Sequence, residues 1–384
     1  MFSRRVPQDL RPSVWAQARA ARGMVPYDLT VSNPTLCDFP YPHGLLEPLR
    51  RSAGLQYRPD PKGLRGAREA VAREYAAHGV AIDPEQIVLT ASSSESYGFL
   101  FKLLCNPGDA VLVPTPSYPL FTHLASLEGV NAAPYLLDPA GGWQPVPPEP
   151  DSTELARAAI LVHPNNPTGS WVFKAAAEAL ASGGHTAPLP LIVDEVFLDF
   201  PLAPHPEAKS FAARKTGLTF TLGGLSKSRG LPQLKLSWIV ASGPDAELIP
   251  ALDALAFIGD SYLSVGTPVQ EGLSEILDGA APVRDAILAR VVHNLATAKR
   301  LAGAVPGVEL LSPSAGWSAI LRFPRVVAEE VLVLELLQRG VAVHPGYFFD
   351  FPTEGCLVLS LLPAAGVFEA GLSVTLEAIA SRLC

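Results

Sequence analysis

The residue with most chemistry to offer in this chain is a lysine set among glycines and serines just after an apolar run. Leu218-Thr219-Phe220-Thr221-Leu222 reads as a strand buried on both faces, and Gly223-Gly224-Leu225-Ser226-Lys227-Ser228 follows it. An amine held so close to a buried strand end loses part of its hydration. Desolvation lowers its pKa and makes it a usable nucleophile or base. Asp194 closes a second apolar run, Leu191-Ile192-Val193, and a carboxylate there requires a cation or strong hydrogen bonds. Asn165-Asn166-Pro167-Thr168-Gly169, after Ile160-Leu161-Val162, has the composition of a turn. Ser92, Ser93 and Ser94 follow Ile87-Val88-Leu89-Thr90 and open a helical pattern, where N–H groups and hydroxyls can meet an anion. Taken singly, each has a plainer alternative: a solvated lysine, a capping acid, a turn, an N-cap.

Their value lies in the elements that carry them. Short apolar runs alternate with helical patterns over roughly residues 60–245, which predicts an α/β architecture with a mostly parallel sheet. Ligands of such sheets bind outside the carboxyl ends of the strands. All four clusters sit just after predicted strands, so all four are expected to converge. From about residue 280 the pattern changes. A long amphipathic helix over 283–304, strand-like pieces at Ser318–Leu321 and Leu357–Leu362, and helices over 327–339 and 366–382 predict a smaller α+β lobe.

Composition narrows the class. The chain has 384 residues, 48% hydrophobic and 17% charged, with mean hydropathy +0.23. That is apolar enough for a large core and excludes global disorder. A net charge of −8 gives no footing for nucleic acid or an anionic membrane. No apolar stretch is long enough to span a bilayer. The opening residues lack the apolar core of a signal peptide. Cys37, Cys105, Cys356 and Cys384 are widely spaced and form neither a zinc motif nor a disulfide framework. The histidines, His185 among them, show no metal spacing. A cytoplasmic location is expected.

Taken in order, HPNNPTG (163–169), VDEVFLDF (193–200) and GGLSKSRGLPQLKLSW (223–238) resemble the class I/II, aspartate aminotransferase-like enzymes, which depend on pyridoxal 5′-phosphate (PLP) and have fold type I. DLTVSNPT (28–35), YRPDPKGLRGAREAVAREY (57–75), NPGDAVLVPTPSYPLF (106–121) and VHPGYFFD (343–350) are similar to further segments of that family. The resemblance implies a large domain with a mostly parallel central sheet flanked by helices, plus a smaller α+β domain. It also suggests a division into an N-terminal segment, 1–30, packing on the small domain or a partner, a PLP-binding domain, 31–275, and a C-terminal domain, 276–384.

The resemblance further implies roles. Lys227 would form a Schiff base with PLP and, once freed, move a proton. Asp194 would pair with the pyridine nitrogen so that the ring acts as an electron sink. Asn166 would bond the ring hydroxyl, and Tyr118 would stack on the ring. Ser93, Ser94, Ser226 and Lys235 would hold the phosphate, with Tyr57 reaching it from the other subunit of a homodimer. The implied activity is transfer of an amino group from an amino donor to a 2-oxo acid acceptor. A lyase or decarboxylase on the same scaffold, or a transaminase for a substrate lacking the usual α-carboxylate contact, is the alternative.

Several positions depart from the family pattern. Lys235 stands for an arginine, which keeps the charge and loses the planar fork. Gly224 replaces a hydroxyl residue, and Phe197 replaces a tyrosine that would bond the ring oxygen. Val358 occupies the place of the arginine that binds the substrate α-carboxylate. Arg58, Lys62, Arg229 and Arg322 are candidate replacements by position only. Tyr347, Phe348 and Phe349 are candidates for the pocket wall.

Overall fold

The computed structural model describes residues 3–7, 9–149, 154–183 and 187–383; His185 and Cys384 lie outside the described residues. Eight strands form the main sheet: β2 (Ile87–Thr90), β3 (Ala110–Thr115), β4 (Asn131–Asp138), β5 (Gln144–Pro145), β6 (Ala156–Val162), β7 (Leu191–Asp194), β8 (Thr219–Gly224) and β9 (Ser237–Ser242). Their spatial order is β2-β9-β8-β7-β6-β3-β4-β5. β4, β3, β6, β7 and β8 run parallel. β9 is antiparallel to both β8 and β2, which returns β2 to the common direction.

The apolar runs show little alternation because both faces of the sheet are covered. Val88, Ile192, Phe220, Leu222 and Ile239 pack on one side with Phe99, Phe121 and Leu255 from helices Ser93–Leu104, Leu120–Glu128 and Asp245–Asp260. On the other side, Ile87, Leu89 and Val240 pack with Val71 and Ile276 of helices Arg65–Ala77 and Thr267–Gly279. Leu161, Leu191 and Val193 pack there with Leu180 of helix Lys174–Ser182. Three strands of the main sheet do not stand out in the sequence, of which β5 is only two residues long. β4 carries an interior proline, Pro134, which weakens a strand signal yet pairs with Val113. β9, SWIVAS, follows directly on the lysine motif.

A second sheet, ordered β10-β11-β14-β13, is antiparallel: β10 (Glu309–Leu311), β11 (Ser318–Arg322), β13 (His344–Pro345) and β14 (Cys356–Ser360). One face buries Ala319, Leu321, Leu357 and Leu359 against helices Ala281–Ala302 and Ala365–Leu383. The other face carries Ser318, Ile320, Val358 and Ser360, because side chains alternate along a strand. The start of the chain joins this unit. β1 (Tyr27–Asp28) pairs in parallel with β12 (Val341–Ala342), and Trp15 packs its ring against His344 and Phe348.

Candidate active site

Parallel direction brings the carboxyl ends of β2, β3, β6, β7 and β8 to one edge of the main sheet. Val162 is in register with Asp194, and Asp194 with Leu222. Asn166 and Lys227 therefore emerge from the strands that flank Asp194. The four clusters singled out by sequence meet at this edge, together with the Ser117-Tyr118 turn after β3.

Asp194 is partly buried. The N–H of Val196 donates to its Oδ1 at 3.1 Å, and the hydroxyl of Tyr97 donates to its Oδ2 at 3.0 Å. Desolvation pushes its pKa above the ordinary carboxylate value, opposed by Val196, Tyr97 and the charge of Lys227. Desolvation pushes Lys227 the other way, below an ordinary amine, and the charge of Asp194 opposes it. The two sense each other's charge, yet among the described residues neither is in an ion pair. Both edges of the arrangement thus lean toward neutrality. The Lys227 amine lies 5.5 Å from the centre of the Trp317 ring. That indole is pinned edge-on by Phe197 and Phe200, and its N–H has no partner among the described residues. Tyr118, nearly half exposed, feels the Asp194 charge as well.

Asn166 is held from the second sheet, where Ser318 Oγ donates to its Oδ1 at 3.3 Å. With Oδ1 so used, the amide N–H groups are what Asn166 has to offer as donors. Ser117 N–H donates to the carbonyl of Phe349 at 3.0 Å, a second tie between the sheets. Gly169 makes a third, accepting from Ser314 and Ala315 N–H groups at 3.1 and 3.0 Å. Its φ of +66° and the Pro313 Cβ, which an added Cβ would meet at 2.3 Å, leave room for glycine alone.

Ser92 Oγ caps the helix Ser93–Leu104 by accepting from Glu95 N–H at 3.1 Å. The N–H groups of Ser93 and Ser94 fall in the first turn, which has no intrahelical acceptors. Ser226 is partly buried, and Lys235 is exposed at φ 50°. Tyr57 is 77% exposed. Within one chain it is not brought to Lys227; it lines a cleft with Arg58, Leu89, Phe99 and Ser264.

The turn that carries Lys227 is backed by a buried ionic clamp. Arg229 Nε donates to the Leu277 carbonyl at 3.0 Å, Nη1 to Asp199 at 3.3 Å, and Nη2 to Glu74. Arg229 is thereby excluded as a free cation. Of the other candidates, Arg322 pairs with Glu309 and Lys62 with Glu85 at 2.6 Å, whereas Arg58 makes only an exposed pair with Glu271 at 3.6 Å. Val358 lies opposite Ile320 in register and only 3% exposed, in an apolar cluster with Phe349 and Cys356. Phe348 packs against this cluster; Tyr347 is partly exposed.

Sequence reasoning missed Tyr97, Trp317 and Ser318 as site residues. Ser318 read only as part of a strand-like piece. No spacing signal marks them, because each reaches the site from an element distant in sequence.

The residues present fit PLP. Asp194 offers a carboxylate that gains from a cation opposite it, as a protonated ring nitrogen would be. Lys227 offers a desolvated amine for an aldehyde. Asn166 offers an amide donor, and the start of a helix offers N–H groups for a phosphate.

Residues 48–370 match the family described as aminotransferase class I and II. The glutamate-pyruvate aminotransferase AlaA of Escherichia coli K12 is 28% identical over 382 residues, covering 95% of this chain and 93% of its own. An alanine aminotransferase of Mycobacterium tuberculosis H37Rv is 28% identical over 352 residues, covering 87% and 81%. The crystal structure of an Escherichia coli aminotransferase superposes with a TM-score of 0.83 at 25% identity, covering 98% of this chain and 97% of the other.

Proposed function

The chain belongs to the class I and II aminotransferases, and from that membership we propose that it is a PLP-dependent aminotransferase whose cofactor is bound through Lys227. The observation that carries the proposal is the pair Lys227 and Asp194: two desolvated groups of opposite sense, on neighbouring strand ends, neither neutralised by the other. PLP, when bound, supplies an electron sink for charge that develops on the substrate carbon.

The chain's own residues do the rest. Asp194, held by Tyr97 and Val196, keeps a positive charge in place opposite it. Asn166, oriented by Ser318, directs a donor at the ring hydroxyl, alone where Phe197 offers none. Tyr118 covers one face of the ring. Ser93, Ser94, Ser226 and Lys235 take the phosphate, with Tyr57 supplied by a second copy in a homodimer. Lys227, once its amine is free, moves the proton between the substrate carbon and the cofactor; its lowered pKa makes it a readier base than an ordinary lysine. Trp317 keeps water from one side of that amine. The boundaries 1–30, 31–275 and 276–384 are part of this reading, as is a cytoplasmic location. The relatives are named for alanine, glutamate and pyruvate, so an amino acid donor and a 2-oxo acid acceptor are the first pair to try.

The test is chemical. Purified protein soaked in PLP and reduced with borohydride is expected to carry the cofactor's mass on the peptide containing Lys227. Lys227→Ala is expected to lose both the label and turnover. Label elsewhere, or a colourless protein that takes none, overturns the assignment. Release of pyruvate or a decarboxylated amine, with no pyridoxamine 5′-phosphate from any donor, overturns transamination.

A further inference from the structure

Glu329 opens the helix Glu329–Gln338 and is only 2% exposed. A carboxylate taken out of water is costly unless donors replace its hydration. Here the donors are backbone. Oε2 accepts from Tyr347 N–H at 3.1 Å, and Oε1 accepts from the N–H groups of Gly355 and Cys356, each at 2.8 Å. Tyr347 and Gly355 stand near opposite ends of the connection between β13 and β14. One side chain therefore closes that connection across its mouth and gives three buried N–H groups their acceptors. Gly346 shows how closely the chain is drawn in: a Cβ there would meet Glu329 Oε1 at 3.1 Å and Cys356 Cβ at 2.8 Å.

The closed connection also reaches the main sheet. Its short helical turn, Gly346–Phe349, ends with the Phe349 carbonyl accepting from Ser117 N–H at 3.0 Å. Ser117 passes the tie inward, since its Oγ donates to Asn165 Oδ1 at 3.2 Å. Both residues are buried. Tyr118 follows the one and Asn166 the other. Phe351, further along the connection, sits edge-on at 6.0 Å to Trp143, the residue before β5. Hydrogen bonds and short backbone steps thus run from the Glu329 carboxylate through Phe349 and Ser117 to Tyr118 and Asn166.

We propose that Glu329 is a positioning residue for the cofactor: by holding the 346–355 connection closed, it seats Phe349 on Ser117 and so fixes Tyr118 and Asn166. The inference rests on the aminotransferase reading above, which gives those two residues to PLP. It requires a carboxylate and not merely a side chain of that shape. In Glu329→Gln one acceptor oxygen becomes an amide donor. That amide faces either Tyr347 N–H or the N–H groups of Gly355 and Cys356, donor against donor, and one end of the connection is released. A role confined to folding of the small lobe would lower stability and change nothing at Ser117.

Two measurements on the full chain test this without turnover. Amide hydrogen exchange over residues 115–118 reads the Ser117 bond. In Glu329→Gln it is expected to quicken about tenfold, the worth of one hydrogen bond to a charged group, while β7 exchanges as in the parent. Pyridoxamine 5′-phosphate makes no Schiff base, so its Kd reads the contacts to the ring alone; it is expected to rise about tenfold. Glu329→Asp keeps the charge and falls one methylene short, so it is expected to move both readings the same way by less, and it decides alone if Glu329→Gln does not fold. Glu330→Gln, at an exposed neighbour on the same helix, is expected to move neither. If the Glu329 variants melt lower yet either reading stays at the parent's value, Glu329 is structural only: the proposal is overturned and the aminotransferase reading stands. If the parent binds no pyridoxamine 5′-phosphate and takes no borohydride label at Lys227, both fall together.

Discussion

The hydroxyl of Tyr97 donates to Oδ2 of Asp194 at 3.0 Å, so a helix on one face of the main sheet sets the orientation of a carboxylate at the end of a central strand. Tyr97 is 2% exposed and sits edge-on to Phe121 at 5.3 Å. Its ring cannot swing away. The bond lowers the Asp194 pKa against the upward push of desolvation.

Removing that bond should therefore move a titration in a known direction. In Tyr97→Phe, the acid limb of the kcat/KM profile is expected to shift to higher pH, and turnover to fall about tenfold, the worth of one hydrogen bond to a charged group. In Asp194→Asn, turnover should fall by about a hundredfold or more, as when a fixed electrostatic partner is lost. A Tyr97→Phe profile that overlays the parent's would show that the bond does nothing for the site.

Arg229 makes a prediction about stability. Its side chain is 4% exposed and faces two carboxylates, Glu74 and Asp199. Arg229→Met takes the cation from Glu74, leaves Asp199 with His78 alone at 2.9 Å, and removes the bond to Leu277. Breaking a buried pair by deleting one partner costs about 3–5 kcal/mol, readable as a lower urea midpoint with an unchanged m value. The Lys227 label should survive at low temperature, since Arg229 backs the turn without entering the site. A loss below about 1 kcal/mol, the range of exposed pairs, would contradict the clamp.

His163 sets an acid limit. Its ring lies between Trp171 and Phe211, with centroids at 5.0 and 4.9 Å, and its Nδ1 accepts from Val172 N–H at 3.0 Å. Burial holds its pKa down to about 4, against 6.5 for the free side chain. The folded state binds this proton more weakly than the unfolded chain. The contribution is thus whole above pH 6.5 and is lost as pH falls toward 4, by about 3 kcal/mol across the window. Thermal unfolding between pH 7 and 4 should show that slope, and His163→Asn should reduce it, leaving the part due to His344, which burial also holds down to about 4. An equal slope in the variant would mean the ring protonates freely in the fold.

Much of this was legible in the chain itself. The apolar runs ending at Thr90, Val162, Val193 and Leu222 mark strands, and the clusters after them hold Ser93, Asn166, Asp194 and Lys227. A parallel sheet sends every carboxyl end to one edge, so residue type and strand end together predict convergence without coordinates. That Val358 stands in place of an arginine came instead from the family resemblance of the segment around Leu357–Ser360.

What a sequence cannot carry is direction and partnership across distant elements. Arg229 and Val358 show the difference. Arg229, two residues after Lys227, is a candidate site cation by position, and only the packing of helix Arg65–Ala77 and the loop at Asp199 turns it away into a clamp. Val358 is a missing charge in the sequence, and only its register with Ile320 and the packing of Phe349 and Cys356 show it buried in an apolar cluster. Side-chain facing depends on how two sheets dock, and docking sums many weak contacts spread over the whole chain, so no local pattern encodes it.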